Sequence, residues 1–113
     1  MSRAAPERFA GTVVEVHGIK ATVHRHDTAE RIRCRPLRSR EQLAVGDEVT
    51  VEAARHGPVV VELGDRSGCL WRPQERGRRL MAANVDRVLV VVSVVPEPRA
   101  GLIDRFLVAA EAA

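Results

Sequence analysis

Arg31, Arg33 and Arg35 occupy alternate positions of one short segment, RIRCRPL, with Ile32 and Cys34 between them. Successive side chains of an extended chain point to opposite faces. Ile32 and Cys34 therefore turn toward a core, and the three guanidinium groups line up on the other side. Like charges in a row gain nothing from one another, but they suit an anion lying across the strand. Arginine is apt for phosphate because its planar fork makes paired hydrogen bonds. Arg25, Arg38 and Arg40 flank the row, and Arg72, Arg76, Arg78 and Arg79 form a second basic group. The chemistry expected at these positions is contact with nucleic-acid phosphates. The competing reading is a solvated arginine-rich face, in keeping with a chain whose eighteen basic residues include a single lysine, Lys20.

Aromatic residues refine that expectation. Proteins that thread single strands stack bases on aromatic side chains, yet the region offers only Phe9 and Trp71, neither of them beside the arginine row. Backbone contact to a folded, structured RNA fits better.

Other chemistries find less support. His24 and His26 stand two apart, but no third ligand lies at metal spacing, so no metal site is expected. Ser93 sits inside an apolar run and Cys34 faces a core, each without an oriented base. Glu48 and Glu52 read as the polar side of a strand. No GxxxxGK[ST] phosphate loop occurs.

The elements that must position the arginines are short strands. Between Arg8 and Leu63 five segments alternate apolar and polar residues, separated by turn signals at Gly18, His26-Asp27-Thr28, Gly46-Asp47 and His56-Gly57-Pro58. In the first, Phe9–His17, Gly11 permits a bulge or sharp coil. The second places Ile19, Ala21 and Val23 inward, with Lys20, Thr22 and His24 outward. The third runs from Arg31 to Leu37, ending at or lying on an edge because Pro36 cannot donate to a ladder. Residues 38–45 are expected as a helical turn or loop. The fourth turns Val49, Val51 and Ala53 inward, and the fifth Val59, Val61 and Leu63. Five strands with an irregular link after the third is the layout of an OB-fold barrel; an SH3-like barrel is the alternative.

Residues 1–7 read as a tail, 8–63 as the barrel, and 64–81 as a Gly- and Arg-rich connector that Leu70 and Trp71 pin to it. The block 82–113 differs. Val88 to Val95 is apolar except at Ser93, as expected of a strand buried on both faces. After Pro96-Glu97-Pro98, Leu102, Ile103, Phe106, Leu107 and Ala110 fall on one helical face. A strand feeding an amphipathic helix opens a βαβ unit, so the expectation is an incomplete α/β domain whose apolar faces lack cover.

Bulk properties set the outer limits. A chain of 113 residues, 45% hydrophobic, with net charge +3 and pI near 9.6 suits a mildly basic globular protein. The apolar run is far short of the roughly 20 residues of a membrane span, and the N-terminus lacks a secretory core. Two cysteines without a CxxC pair are expected as reduced thiols in a cytoplasm.

Three stretches carry a family resemblance: Asp65-Arg66-Ser67-Gly68-Cys69-Leu70-Trp71-Arg72-Pro73, Ala82-Ala83-Asn84-Val85-Asp86-Arg87-Val88, and Leu102-Ile103-Asp104-Arg105-Phe106-Leu107-Val108-Ala109-Ala110-Glu111. Together with the Val45-Gly46-Asp47-Glu48-Val49 turn, they closely resemble the ribosome small-subunit-dependent GTPase A family, RsgA. The resemblance implies an N-terminal OB-fold followed by a circularly permuted GTPase domain and a zinc-binding domain. It also implies action in late small-subunit maturation, with ribosomal RNA and the small ribosomal subunit as partners. The family's cofactors, GTP, magnesium and zinc, bind through the NKxD, phosphate-loop, DxxG and zinc-ligand motifs, which the resemblance places in regions other than the stretches matched here. No cofactor is therefore expected here, and the chain alone should not hydrolyse GTP. One departure is notable: the family's basic loop commonly resembles RGKFR, whereas here it reads Arg35-Pro36-Leu37-Arg38-Ser39-Arg40. The resulting expectation is an RNA-binding OB module with the start of a GTPase domain, cytoplasmic, monomeric and without membrane association. Its alternatives are an initiation-factor-like RNA-binding barrel and a protein-interaction module.

Overall fold

The computed structural model describes residues 6–36, 42–93 and 101–112. Five strands, β1 (Arg8–His17), β2 (Lys20–Arg25), β3 (Arg31–Cys34), β4 (Glu48–Ala54) and β5 (Gly57–Leu63), form an antiparallel sheet in the order β3-β2-β1-β4-β5. Curling brings the outer edges together at one parallel bridge, Arg35 to Val59. There Arg35 N–H donates to the Pro58 carbonyl at 2.9 Å, and Val60 N–H donates to the Arg35 carbonyl at 3.1 Å. The sheet is thus barrel-like and only partly closed, matching the five-stranded OB layout expected from the sequence.

Alternation builds the interior. Phe9, Val13, Ala21, Val23, Cys34, Leu43, Val49, Val51 and Val60 form one buried cluster. Gly11 is not where β1 bulges; the irregularity lies between Val13 and Glu15. Its missing Cβ serves close packing instead, since one built there would lie 2.3 Å from Val23 Cγ1.

Inward assignments change at four residues. The β4–β5 register shifts between Thr50 and Val51, pairing Thr50 with Glu62 but Val51 with Val60. Val61 is the extra residue of this bulge, so Val60 rather than Val59 or Val61 enters the core. Ile19 is 76% exposed because it stands in the β1–β2 turn, beyond the strands that would cover it. Ala53, also expected inward, is exposed near the end of β4.

The connector is more ordered than expected. It folds into a hairpin, β6 (Leu70–Pro73) and β7 (Arg78–Ala82), closed by Gln74 N–H donating to the Gly77 carbonyl at 3.0 Å. Leu80 buries with Ala44 and Ala83, and Trp71 and Cys69 pack against them. This second small core sits beside the first, joined to it through the chain at Leu43 and Ala44.

A helix, α1 (Leu102–Ala112), forms where the periodicity placed it, with Asp104 in its first turn favourable to the helix dipole. It lies against β6 but has no fully buried residue. The valine run behaves differently. Residues 88–93 make no ladder, and Leu89 and Val91 are 88% and 83% exposed. A strand exists only with a partner to accept and donate its backbone hydrogen bonds, and none of the described strands lies alongside. Val94, Val95 and the Pro96-Glu97-Pro98 turn lie outside the described residues.

Candidate nucleic-acid interface

Cross-strand register decides what stands beside the arginine row. His24 of β2 pairs with Arg31 of β3, Thr22 with Arg33 and Ala21 with Cys34. Cys34 is buried and Ile32 half-buried, so Arg31 and Arg33 project outward next to His24 and Thr22. Lys20, two residues before Thr22, continues the same face toward the β1–β2 turn. Among the described residues neither Arg31 nor Arg33 has a carboxylate partner. Unpaired, Arg31 and Arg33 give this edge of the sheet positive charge, and its field attracts anions.

The remaining predicted residues divide. Arg35 is exposed, and its guanidinium donates to the Gly57 carbonyl at 3.3 Å, so this residue also ties the barrel closed. Arg25 is engaged already. Its guanidinium grips Asp27, donates to Glu7 at 2.9 Å, and lies 4.3 Å from the centre of the Phe9 ring. Those hydrogen bonds, Asp27's first and then Glu7's, push the Arg25 pKa further upward, and Arg25 holds the Asp27 carboxyl below its ordinary value. Arg38 and Arg40 lie outside the described residues.

On the hairpin, Arg78 covers the Trp71 ring at 4.2 Å, while Arg72 and Arg79 stand directly opposite one another across β6 and β7. Arg76 is exposed in the turn between them. The structure therefore gathers Arg31 and Arg33 on the barrel and Arg72 and Arg79 on the hairpin.

The hairpin patch opens onto a groove of about 570 Å³, lined by Ile19, Lys20, Leu43, Arg72, Arg79 and Met81 among others, which reaches the barrel at Lys20 and Ala21 of β2. Residues 42–45, one of its walls, are braced from beneath. Asp47, completely buried, accepts hydrogen bonds from Ala44 N–H at 2.8 Å and from Arg66 Nε and Nη2 at 2.8 Å each. Arg66 Nη2 also donates to the Gln42 carbonyl at 2.5 Å. Paired, forked contacts of this kind satisfy a buried carboxylate as few other arrangements do.

Asn84 completes the brace in a left-handed conformation, φ 57°. Its amide donates to the Gly46 carbonyl at 2.8 Å, and its oxygen accepts from Ser67 N–H at 2.8 Å. Gly46 has φ 97°, and a Cβ there would stand 2.0 Å from the Ala83 carbonyl oxygen. Glycine at this point lets the barrel turn and the Ala83-Asn84 segment touch backbone to backbone.

Sequence reasoning left Lys20, Asp47, Arg66 and Asn84 without roles in the site. A buried ion pair has no periodic signature. The visible signals were a lone lysine after Gly18-Ile19 and an acid following a turn glycine.

Two solved structures resemble this chain over nearly its whole length. YjeQ from Thermotoga maritima superposes with a TM-score of 0.66 at 35% identity, over 94% of this chain and 38% of that one. YloQ, a circularly permuted GTPase, gives 0.63 at 26% identity, over 94% and 37%. The family model described as RsgA GTPase matches residues 63–113. Small ribosomal subunit biogenesis GTPase RsgA of Paraburkholderia phytofirmans PsJN is 40% identical over 106 residues, 93% of this chain and 34% of the relative. The RsgA of Burkholderia mallei SAVP1 is 38% identical over 108 residues, 94% and 34%. The chain belongs to the RsgA family, and it spans about a third of the length of the curated relatives it matches.

Proposed function

We propose that this chain is the RNA-docking module of a small-subunit assembly GTPase and that it engages ribosomal RNA through the outer face of β2 and β3. The carrying observation is the pair Arg31 and Arg33, exposed at alternate positions of β3 and without carboxylate partners among the described residues. Arg35 extends the row and Arg72 and Arg79 add a second patch; Arg38, Arg40, Arg76 and Arg78 are secondary contacts. Arg25, already held by two carboxylates, contributes by shaping the barrel. Relatives named as small ribosomal subunit biogenesis GTPases support the choice of RNA. In this reading residues 82–113 open a GTPase domain, the binding is cytoplasmic, and GTP hydrolysis belongs to the NKxD and phosphate-loop parts of that domain. Among the described residues no helix is long and apolar enough to cross a membrane.

Backbone neutralisation makes a measurable commitment. Each phosphate contact releases a counterion, so affinity for a structured RNA hairpin should fall steeply with salt, by roughly 0.9 logarithmic units per contact for each tenfold rise. Replacing Arg31 and Arg33 together by alanine should weaken binding and flatten that slope by about two contacts. Affinity that stays constant from low to moderate salt would refute the reading.

The exposed apolar surface at Leu89, Val91, Ile103 and Leu107 favours a second role, attachment to further protein. It is compatible with RNA docking because it lies away from β2 and β3 in the sequence and on different elements.

A further inference from the structure

Arg72 and Arg79 face each other across the hairpin, a pairing that costs stability because like charges directly opposite repel. Both line the 570 Å³ groove, Lys20 lines it too, and its described lining contains no carboxylate. None of the three has an ion-pair partner among the described residues. Apolar groups share the same groove. Ile19 is 76% exposed at the turn, Met81 is 44% exposed, and Leu43 reaches it from the barrel side. Its volume falls within the roughly 300–1,000 Å³ of small-molecule sites. An occupant must therefore be apolar in its body and anionic at its edge.

We propose that this groove receives one unpaired nucleotide of a structured RNA, its base against Ile19, Leu43 and Met81 and its flanking phosphates on Lys20, Arg72 and Arg79. The proposal rests on the RNA-docking reading and deepens it. Lys20 joins the two surfaces, since it stands on the outward face of β2 with Thr22 and His24 and also lines the groove. A duplex lying on β2 and β3 would thus be held by its backbone, while a base displaced from it enters the groove. Unstacked bases are the part of RNA that side chains reach most readily. Asp47, Arg66 and Asn84 keep the far wall in place, so the groove exists before the nucleotide arrives.

The test uses the 113-residue chain and two labelled RNAs, a hairpin with one bulged adenosine and the same hairpin fully paired, followed by fluorescence anisotropy. Wild-type protein should prefer the bulged hairpin by about tenfold, the size expected from burying part of one apolar ring. Ile19→Ser, at an exposed turn, should abolish the preference while leaving affinity for the paired hairpin unchanged, and Met81→Ser should do the same. Replacing Arg31 and Arg33 should weaken both RNAs equally. Equal affinity of the wild type for the two hairpins, or a preference that survives both groove variants, would overturn the proposal and leave RNA docking standing. Absence of binding to either RNA would overturn both.

Discussion

A single buried carboxylate governs the groove wall. Asp47 has no exposed surface, and its oxygens are taken by Ala44 N–H and the Arg66 fork. Asp47→Asn keeps the shape but removes the charge and turns an N–H toward Arg66. Breaking one side of a buried ion pair leaves the other charge uncompensated, so the variant should lose about 3 kcal/mol in urea unfolding. Cys34 makes a second residue-scale prediction. Burial pushes its thiol up to about 11, so at neutral pH it stays protonated and shielded. The folded protein should react with a thiol reagent at Cys69 and leave Cys34 unlabelled until denatured. The sign for stability follows. An unfolded thiol ionises near its ordinary value of about 8.5, below the folded one, so Cys34's contribution is full at neutral pH and falls as pH rises between those values. Cys34→Ser should reduce the alkaline loss of stability.

At the scale of elements, alternation carried most of the barrel and failed where the ladder slipped. The inward positions of β2 and β3 follow from a period of two, and Ala21, Val23 and Cys34 are indeed buried. In β5 the bulge opposite Thr50 and Val51 shifts the inward residue to Val60. Val60→Ala should therefore cost about 2 kcal/mol of core burial, whereas Val61→Ala should change stability by less than about 0.5 kcal/mol, both read from chemical denaturation. The reverse result would mean the bulge is misplaced. Residues 64–81 gave turn and charge signals but no clean alternation. Their hairpin depends on Trp71 and Leu80 finding Ala44, a contact distant in sequence. The arginine row was legible for a simpler reason, because one strand suffices to define it. The groove was not, since its walls come from a turn, a loop and a hairpin far apart along the chain.

The whole molecule is longer than a compact chain of its size, with a radius of gyration of 17.4 Å against about 13 Å. The valine run lacks a ladder, and α1 leaves Phe106 and Leu107 partly open to solvent. Large apolar side chains exposed in this number invite association. Sedimentation velocity should detect concentration-dependent self-association of the wild type, and Leu89→Ser with Val91→Ser should suppress it without altering RNA affinity. Unchanged association in the double variant would place the sticky surface elsewhere.

Local rules settled what depends on neighbours within a few residues: which strand faces are apolar, where α1 runs, and that Arg31 and Arg33 share one side. Those follow from the fixed directions of side chains along strand and helix. Tertiary structure alone decided that Glu7 reaches Arg25, that Asp47 and Arg66 brace a groove, and that the valine run finds no ladder. Each of these depends on which distant groups come within hydrogen-bonding distance, and no local periodicity encodes that distance.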